Sequence, residues 1–282
     1  MENTALILEG GGMRGTFSAG VLDFFMEKGV RIDDVYGVSA GACLACSYLC
    51  GQIGRGLRVW TNYIDDKRYC SLESLLRTGD LFGAELNYKL VPFELDPLDD
   101  DAYARRNARF RAVVTNVDTG RAEYPLVENM RRDVQLVRAS ASLPLISNIV
   151  EIDGKRYLDG GIADSIPIRQ SLADGFTRNV ILLTQAEGYR KTPNKAMPLI
   201  KLKYRKYPRF IEAVRTRHER YNEALRLAEM EQQAGRAFII RPDEAPDVGR
   251  VEKDAEKLRA LYAAGYAVAK REYDRLMAFL NA

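Results

Sequence analysis

Ser39 stands in Gly37-Val38-Ser39-Ala40-Gly41, directly after the short apolar run that begins at Asp34. A serine on a sharp strand-to-helix turn is lifted clear of the backbone, with its hydroxyl above the sheet. Glycines two residues before and after let strand and helix approach without Cβ clashes, although the serine itself is forced into an unfavourable backbone region. The chemistry this suits is nucleophilic attack. An ordinary Gly-rich strand–helix turn has the same pattern. The chemical reading therefore depends on whether the chain also supplies oxyanion donors and a base.

Gly10-Gly11-Gly12-Met13-Arg14-Gly15 lies between the strand-like Thr4–Glu9 and the helical Thr16–Gly29. Gly10, Gly12 and Gly15 fit Gly-x-Gly-x-x-Gly, the dinucleotide-binding arrangement, which expects an acidic residue about 20 positions on at the end of the next strand. Asp33 and Asp34 have the separation but precede Val35–Val38 rather than ending it. That reading also leaves the Ser39 turn unexplained. The alternative is an oxyanion hole. Consecutive glycines at Gly10, Gly11 and Gly12 expose backbone N–H groups, the helix start adds positive partial charge, and no Cβ blocks a tetrahedral intermediate. Arg14 either anchors this loop, faces an anionic head group, or is an exposed residue at a helix start.

The chain has one histidine, His218. The order Ser39, Asp159, His218 matches an α/β-hydrolase triad. His218, however, lies in the highly charged stretch Val214–Tyr221, which reads as a solvated helix. Asp159 is the stronger base candidate. It closes a hairpin strand, and Gly160 and Gly161 leave its carboxylate unshielded. In a desolvated cleft its basicity rises.

These residues need a frame. Two successive strand–turn–helix units, at Thr4–Gly29 and Val35–Cys50, favour a parallel sheet covered by helices. Further strands are expected at Phe110–Val117, Val180–Thr184 and Ala237–Pro242, and a hairpin at Ile149–Leu158 around Asp153-Gly154. Helices are expected near Gly54–Tyr63, Ser71–Leu76 and Asp133–Ser140. A looser segment with Gly79, Gly83 and Pro92 and a loop at Asp96–Asp101 lie between them. Single long helices are expected at Arg209–Ala234 and Val251–Leu280. The domain reading is a catalytic unit over 1–190 and a basic, mainly helical extension over 191–282 packed on it.

With 282 residues, 46% hydrophobic and 29% charged, the chain reads as an ordinary globular protein. No apolar run approaches the ~20 residues of a membrane helix. Met1-Glu2-Asn3-Thr4 lacks the features of a secretory leader, so the expected compartment is the cytoplasm. Cys43, Cys46 and Cys50 share one helix face and read as small buried packing residues, since zinc needs more ligands than this chain groups together. Net charge is only +3, yet Arg190–Arg220 holds eleven Lys/Arg and two Asp/Glu. Lys201, Lys203, Arg205, Lys206 and Arg209, with Tyr204, Tyr207 and Phe210, read either as a solvated face or as a dock for anionic lipid at the inner membrane surface. No recognition motif supports nucleic acid.

The three motifs, Gly10–Gly15, Gly37–Gly41 and Asp159-Gly160-Gly161, in this order, resemble the patatin-like phospholipase family over about residues 4–185. Ala139–Pro144 is similar to the small-residue and proline stretch before that family's Asp motif. The C-terminal third is similar to an extension on bacterial members. The resemblance implies a three-layer α/β/α fold with a mostly parallel central sheet. It implies a Ser39–Asp159 dyad, an oxyanion hole at the Gly10–Arg14 loop, and supporting roles for Gly15, Gly37, Gly41, Gly160 and Gly161. It also implies hydrolysis of lipid acyl esters of the phospholipase A or lysophospholipase type, with no metal or cofactor. The competing expectations are a non-catalytic lipid-binding protein on the same fold and a Ser39–Asp159–His218 esterase.

Overall fold

The structure is a computed structural model that describes residues 3–282; Met1 and Glu2, part of the stretch read above for a leader, lie outside it. In chain order the first half comprises β1 (Thr4–Leu8), α1 (Thr16–Glu27), β2 (Asp34–Val38), α2 (Ala40–Leu49), α3 (Arg55–Asn62), α4 (Leu72–Thr78), α5 (Asp100–Arg106), β3 (Arg109–Asn116), β4 (Ala122–Glu123), β5 (Leu126–Val127) and α6 (Met130–Ser140). The second half comprises β6 (Val150–Ile152), β7 (Lys155–Asp159), α7 (Ile168–Ala173), β8 (Arg178–Leu182), α8 (Met197–Lys203), α9 (Pro208–Arg215), α10 (Arg217–Gln233), β9 (Ala237–Ile240), α11 (Ala255–Arg271) and α12 (Tyr273–Asn281).

The sheet runs β6-β7-β3-β2-β1-β8-β9. β3, β2, β1, β8 and β9 are mutually parallel, and the β6–β7 hairpin adds an antiparallel edge. Strand alternation separates two cores. Leu6, Leu8 and Val35 face a layer that includes Phe17, Leu44 and Leu258, while Ala5, Ile7 and Tyr36 face one that includes Ile168, Tyr221 and Leu225. Both faces of β1 and β2 are thus buried, the usual state of parallel strands. This is a three-layer α/β/α arrangement.

The C-terminal segment is built into these layers. β9 extends the parallel sheet from β8. α11 packs on α1 at two glycines: a Cβ on Gly20 would collide with the Tyr262 carbonyl, and one on Gly265 with the Phe17 carbonyl. The backbones meet where side chains are missing.

Several expected elements differ in detail. The segment around Pro92 is a π-helical stretch, Leu86–Leu95. It tolerates Pro92 because wider winding moves the carbonyl that the ring would otherwise strike. The Asp96–Asp101 loop is shorter than expected: the Asp99 side chain caps Ala102 N, which starts α5 at Asp100. Both long C-terminal helices are broken, at Thr216 and at Glu272. Tyr204 and Phe210 are buried against each other with ring centroids 4.9 Å apart, so they are core residues and not interfacial aromatics. Lys201, Lys203, Arg205, Lys206 and Arg209 are exposed. No described helix is long and apolar enough to cross a membrane.

Candidate active site

β2 ends at Val38 and α2 begins at Ala40, so Ser39 is the whole turn. Its φ of 55° and ψ of −122° lie where only glycine sits easily, a strain of about 1–3 kcal/mol that the surroundings must offset. The offset is visible. The Ser39 N–H donates to Ser140 Oγ at 2.9 Å, and the Ser39 carbonyl accepts from Ala42 N at 2.9 Å. Gly37 and Gly41 provide the close approach. A Cβ on Gly37 would lie 2.6 Å from Ala42 Cα, and one on Gly41 would strike the Leu8 carbonyl.

Asp159 ends β7, next to β3, with its backbone N–H on the Ser142 carbonyl at 2.8 Å. Its side chain is 1% exposed. Oδ2 accepts from Ser39 Oγ at 2.6 Å, and Oδ1 accepts from Gly161 N at 2.8 Å. Burial pushes the carboxyl above the ordinary range; the Arg217 guanidinium and the bond from Ser39 pull the other way. The stretch Ala139–Pro144 ties the two residues together, since Ser140 holds Ser39 and Ser142 holds Asp159. Gly160 lets the chain pass the Val113 carbonyl without a Cβ collision.

The glycine loop closes over the same point. A Cβ on Gly10 would sit 2.6 Å from Ser39 Cβ. Gly12 adopts φ +59° at the start of a 3-10 turn, Gly12–Gly15. The Met13 N–H donates to the Arg250 carbonyl at 3.1 Å, whereas Gly11 and Gly12 N–H have no acceptor among the described residues. Gly15 packs on Trp60 and Ala40. Glu9, at the loop's entry, is 2% exposed and bonded to Thr184 N, Thr184 Oγ1 and Tyr221 OH, which pins the ends of β1, β8 and α10 together.

Two cavities meet at Ser39. One is apolar, with about 950 Å³ of empty space including its mouth, and is lined by Cys43, Leu44, Trp60, Tyr69, Tyr88 and Val137 among others. Burial pushes the Cys43 thiol up to about 11, so it lines this wall uncharged. The other cavity is polar and narrower, with about 390 Å³ of empty space including the open solvent at its mouth. It is lined by Ser39, Asp159, the glycine loop, Arg14, Lys191, Arg217 and Arg250. Burial and the Arg217 charge push the Lys191 ammonium down to about 7.

His218 makes no hydrogen bond to Ser39 or Asp159 among the described residues. Its side chain is 22% exposed, with Nε2 3.8 Å from Glu219. It is half-buried, where a solvated residue was expected. Asp33 and Asp34 lie at the beginning of β2, the end of the sheet remote from the glycine loop, and are engaged by Arg31 and Arg106, and by Arg109 and Arg111. The dinucleotide reading fails there, because a ribose-binding carboxylate must stand at the carboxyl end of its strand. Sequence reasoning missed Ser140, Lys191, Arg217 and Arg250. The basic run Arg190–Arg220 was the signal for two of them, but it gave no hint of which cations turn inward.

The model of a family described as Patatin-like phospholipase matches residues 6–172, and a domain of unknown function (DUF6363) matches residues 207–281. An uncharacterized Escherichia coli protein, YjjU, is 31% identical over 196 residues, covering 67% of this chain and 54% of that protein. Lysophospholipase nte1 of Aspergillus niger is 27% identical over 178 residues, covering 59% of this chain and 11% of the fungal protein. This chain thus spans about half the length of the bacterial relative and about a tenth of the fungal one. The crystal structure of VipD from Legionella pneumophila aligns over 98% of this chain and 67% of that one, at 15% identity and a TM-score of 0.48. The match over residues 6–172 takes in the glycine loop, the Ser39 turn and the Asp159 hairpin, and the chain belongs to the patatin-like phospholipase family.

Proposed function

We propose that this protein is a serine acyl hydrolase acting on lipid carboxylic esters through a Ser39–Asp159 dyad. The observation that carries the reading is the 2.6 Å bond from Ser39 Oγ to Asp159 Oδ2, formed where an apolar cavity meets the glycine loop. Family membership and relatives bearing the name lysophospholipase support the same class.

The acyl chain lies in the apolar cavity with its ester carbon over Ser39. Asp159 takes the hydroxyl proton as the Oγ–carbon bond forms, and the N–H groups of Gly11 and Gly12, with the loop from Gly10 to Arg14, stabilise the oxyanion. When the intermediate collapses, the carbon–oxygen bond to the alcohol breaks and Asp159 returns the proton to the departing oxygen. Water then repeats the sequence: Asp159 takes its proton, hydroxide adds to the acyl carbon, and Ser39 leaves with the proton restored. No metal or cofactor enters these steps.

A fluorophosphonate probe and a p-nitrophenyl ester test this. Labelling at Ser39 is expected, with labelling and turnover lost in Ser39→Ala and turnover lost in Asp159→Asn. His218→Ala keeps both. A folded wild type that never labels and never turns over would refute the enzyme reading in favour of a lipid-binding protein. A dead, folded His218→Ala would restore the triad.

A further inference from the structure

The polar cavity beside Ser39 gathers four cations from four places: Arg14 on the glycine loop, Lys191 after β8, Arg217 at the start of α10, and Arg250 between β9 and α11. None of the four is ion-paired among the described residues. Elsewhere, inward-turned arginines such as Arg106, Arg111 and Arg241 each have a carboxylate partner. Two carboxylates line the cavity and both are engaged: Glu9 by Thr184 and Tyr221, and Asp159 by Ser39 and Gly161. Arg14 Nε is buried with no hydrogen-bond partner. Arg217 caps the wrong end of its helix, since a cation at a helix N-terminus is disfavoured by the dipole.

Like charges collected in one space repel one another, and burial further penalises the charged forms of Arg14, Lys191 and Arg217, while Arg250 stands exposed at the rim. An anion relieves both costs. We infer that this cavity binds the phosphate of the departing alcohol, and that Lys191, Arg217 and Arg250 make the enzyme selective for phosphomonoester lipids. The inference rests on the hydrolase reading for the placement of the ester: with the acyl chain in the apolar cavity, the alcohol side must enter the polar one. A phosphomonoester is close to a dianion at neutral pH, and guanidinium groups match its oxygens in a forked geometry. A choline head group fits poorly. Its cation would face a cationic wall, the residues that line the cavity include no aromatic side chain, and the Tyr221 face behind Lys191 is already covered by Lys191 Nζ, 4.0 Å from its ring centroid. All three selecting residues lie beyond the Patatin-like match, which ends at residue 172, and Arg217 and Arg250 fall inside the 207–281 domain. The C-terminal segment therefore has a task at the site, which is to read the head group.

The test compares 1-acylglycerol 3-phosphate, 1-acylglycerol and 1-acylglycerophosphocholine of one chain length with wild type, Lys191→Met and Arg250→Gln. Wild type is expected to favour the phosphomonoester in kcat/KM, and each variant to lower that preference about ten- to a hundredfold. A parallel titration of glycerol 3-phosphate and inorganic phosphate uses Ser39→Ala, which needs no activity. Glycerol 3-phosphate should bind and should cease to bind in Ser39→Ala/Lys191→Met/Arg250→Gln, shown to be folded by circular dichroism. Absence of both binding and phosphate preference, in an enzyme that still cleaves 1-acylglycerol, overturns the inference and leaves the hydrolase reading standing. Phosphate binding with no ester cleavage by wild type upholds the anion site and removes the hydrolase. Inorganic phosphate binding as tightly as glycerol 3-phosphate, with no lipid preference, overturns the head-group assignment in favour of a free-phosphate site.

Discussion

Arg217→Met should move the acid limb of the pH–rate profile upward. A Cβ built on Gly161 would lie 3.0 Å from Asp159 Oδ1 and 3.2 Å from Arg217 Nη2, so these atoms are within about 6 Å of each other. At an effective dielectric near 20, a charge pair at ~6 Å interacts by ~3 kcal/mol, or ~2 pKa units. Arg250 also favours the ionised carboxylate and remains in the variant. Water in the open cavity screens part of the interaction as well, so a shift of about 1 unit is the working figure. The sign follows from the role. Arg217 favours ionised Asp159, so its loss lets the carboxyl keep its proton to higher pH, and the base form disappears earlier as pH falls. The assay is kcat/KM on a neutral ester from pH 4 to 9, which reports the free enzyme's essential groups. Arg217→Lys should bring the limb most of the way back. A purely structural loss, such as the broken bond from Arg217 Nε to the Gly161 carbonyl, would scale the whole profile without moving it. An acid limb that stays in place or moves down refutes the electrostatic argument.

Other outcomes follow from the same geometry. Asp159→Asn should be inactive yet melt at or above the wild-type temperature. Because the folded-state pKa is raised, the cost of holding the ionised form is present above that pKa and is relieved as pH falls below the unfolded value. The difference in Tm should therefore shrink toward pH 4, and a lower Tm for the variant at pH 8 would contradict this. Gly10→Ala should lose about a hundredfold or more in kcat and also lower Tm, since the new methyl would lie 2.6 Å from Ser39 Cβ and 2.8 Å from the Val38 carbonyl oxygen, and backbone must shift to admit it. Wild-type kinetics would show that the loop stands further off. Cys43→Trp should fill the apolar cavity and shorten the preferred acyl chain; an unchanged chain-length profile on a series of p-nitrophenyl esters would place the acyl group elsewhere.

The sequence by itself determined the turn, the loop and the hairpin. Each is specified locally: Ser39 between Gly37 and Gly41, Asp153-Gly154 with both residues at positive φ, and strands whose apolar runs had to be buried on both faces. The family resemblance rested on those same local features. Their coming together is a tertiary fact, because the bond from Ser39 to Asp159 spans 120 residues and depends on β7 lying beside β3. Ser140 was invisible as a partner because a serine near the end of a helix has no sequence mark for what its hydroxyl meets. The breaks at Thr216 and Glu272 were equally hidden, since neither carries proline or glycine and helical propensity runs through both. The cations at Lys191, Arg217 and Arg250 show the limit most clearly. Charge patterning counts cations along a chain, but whether each faces water or a cavity is decided by how β8, α10 and the loop before α11 pack around the carboxyl end of the sheet.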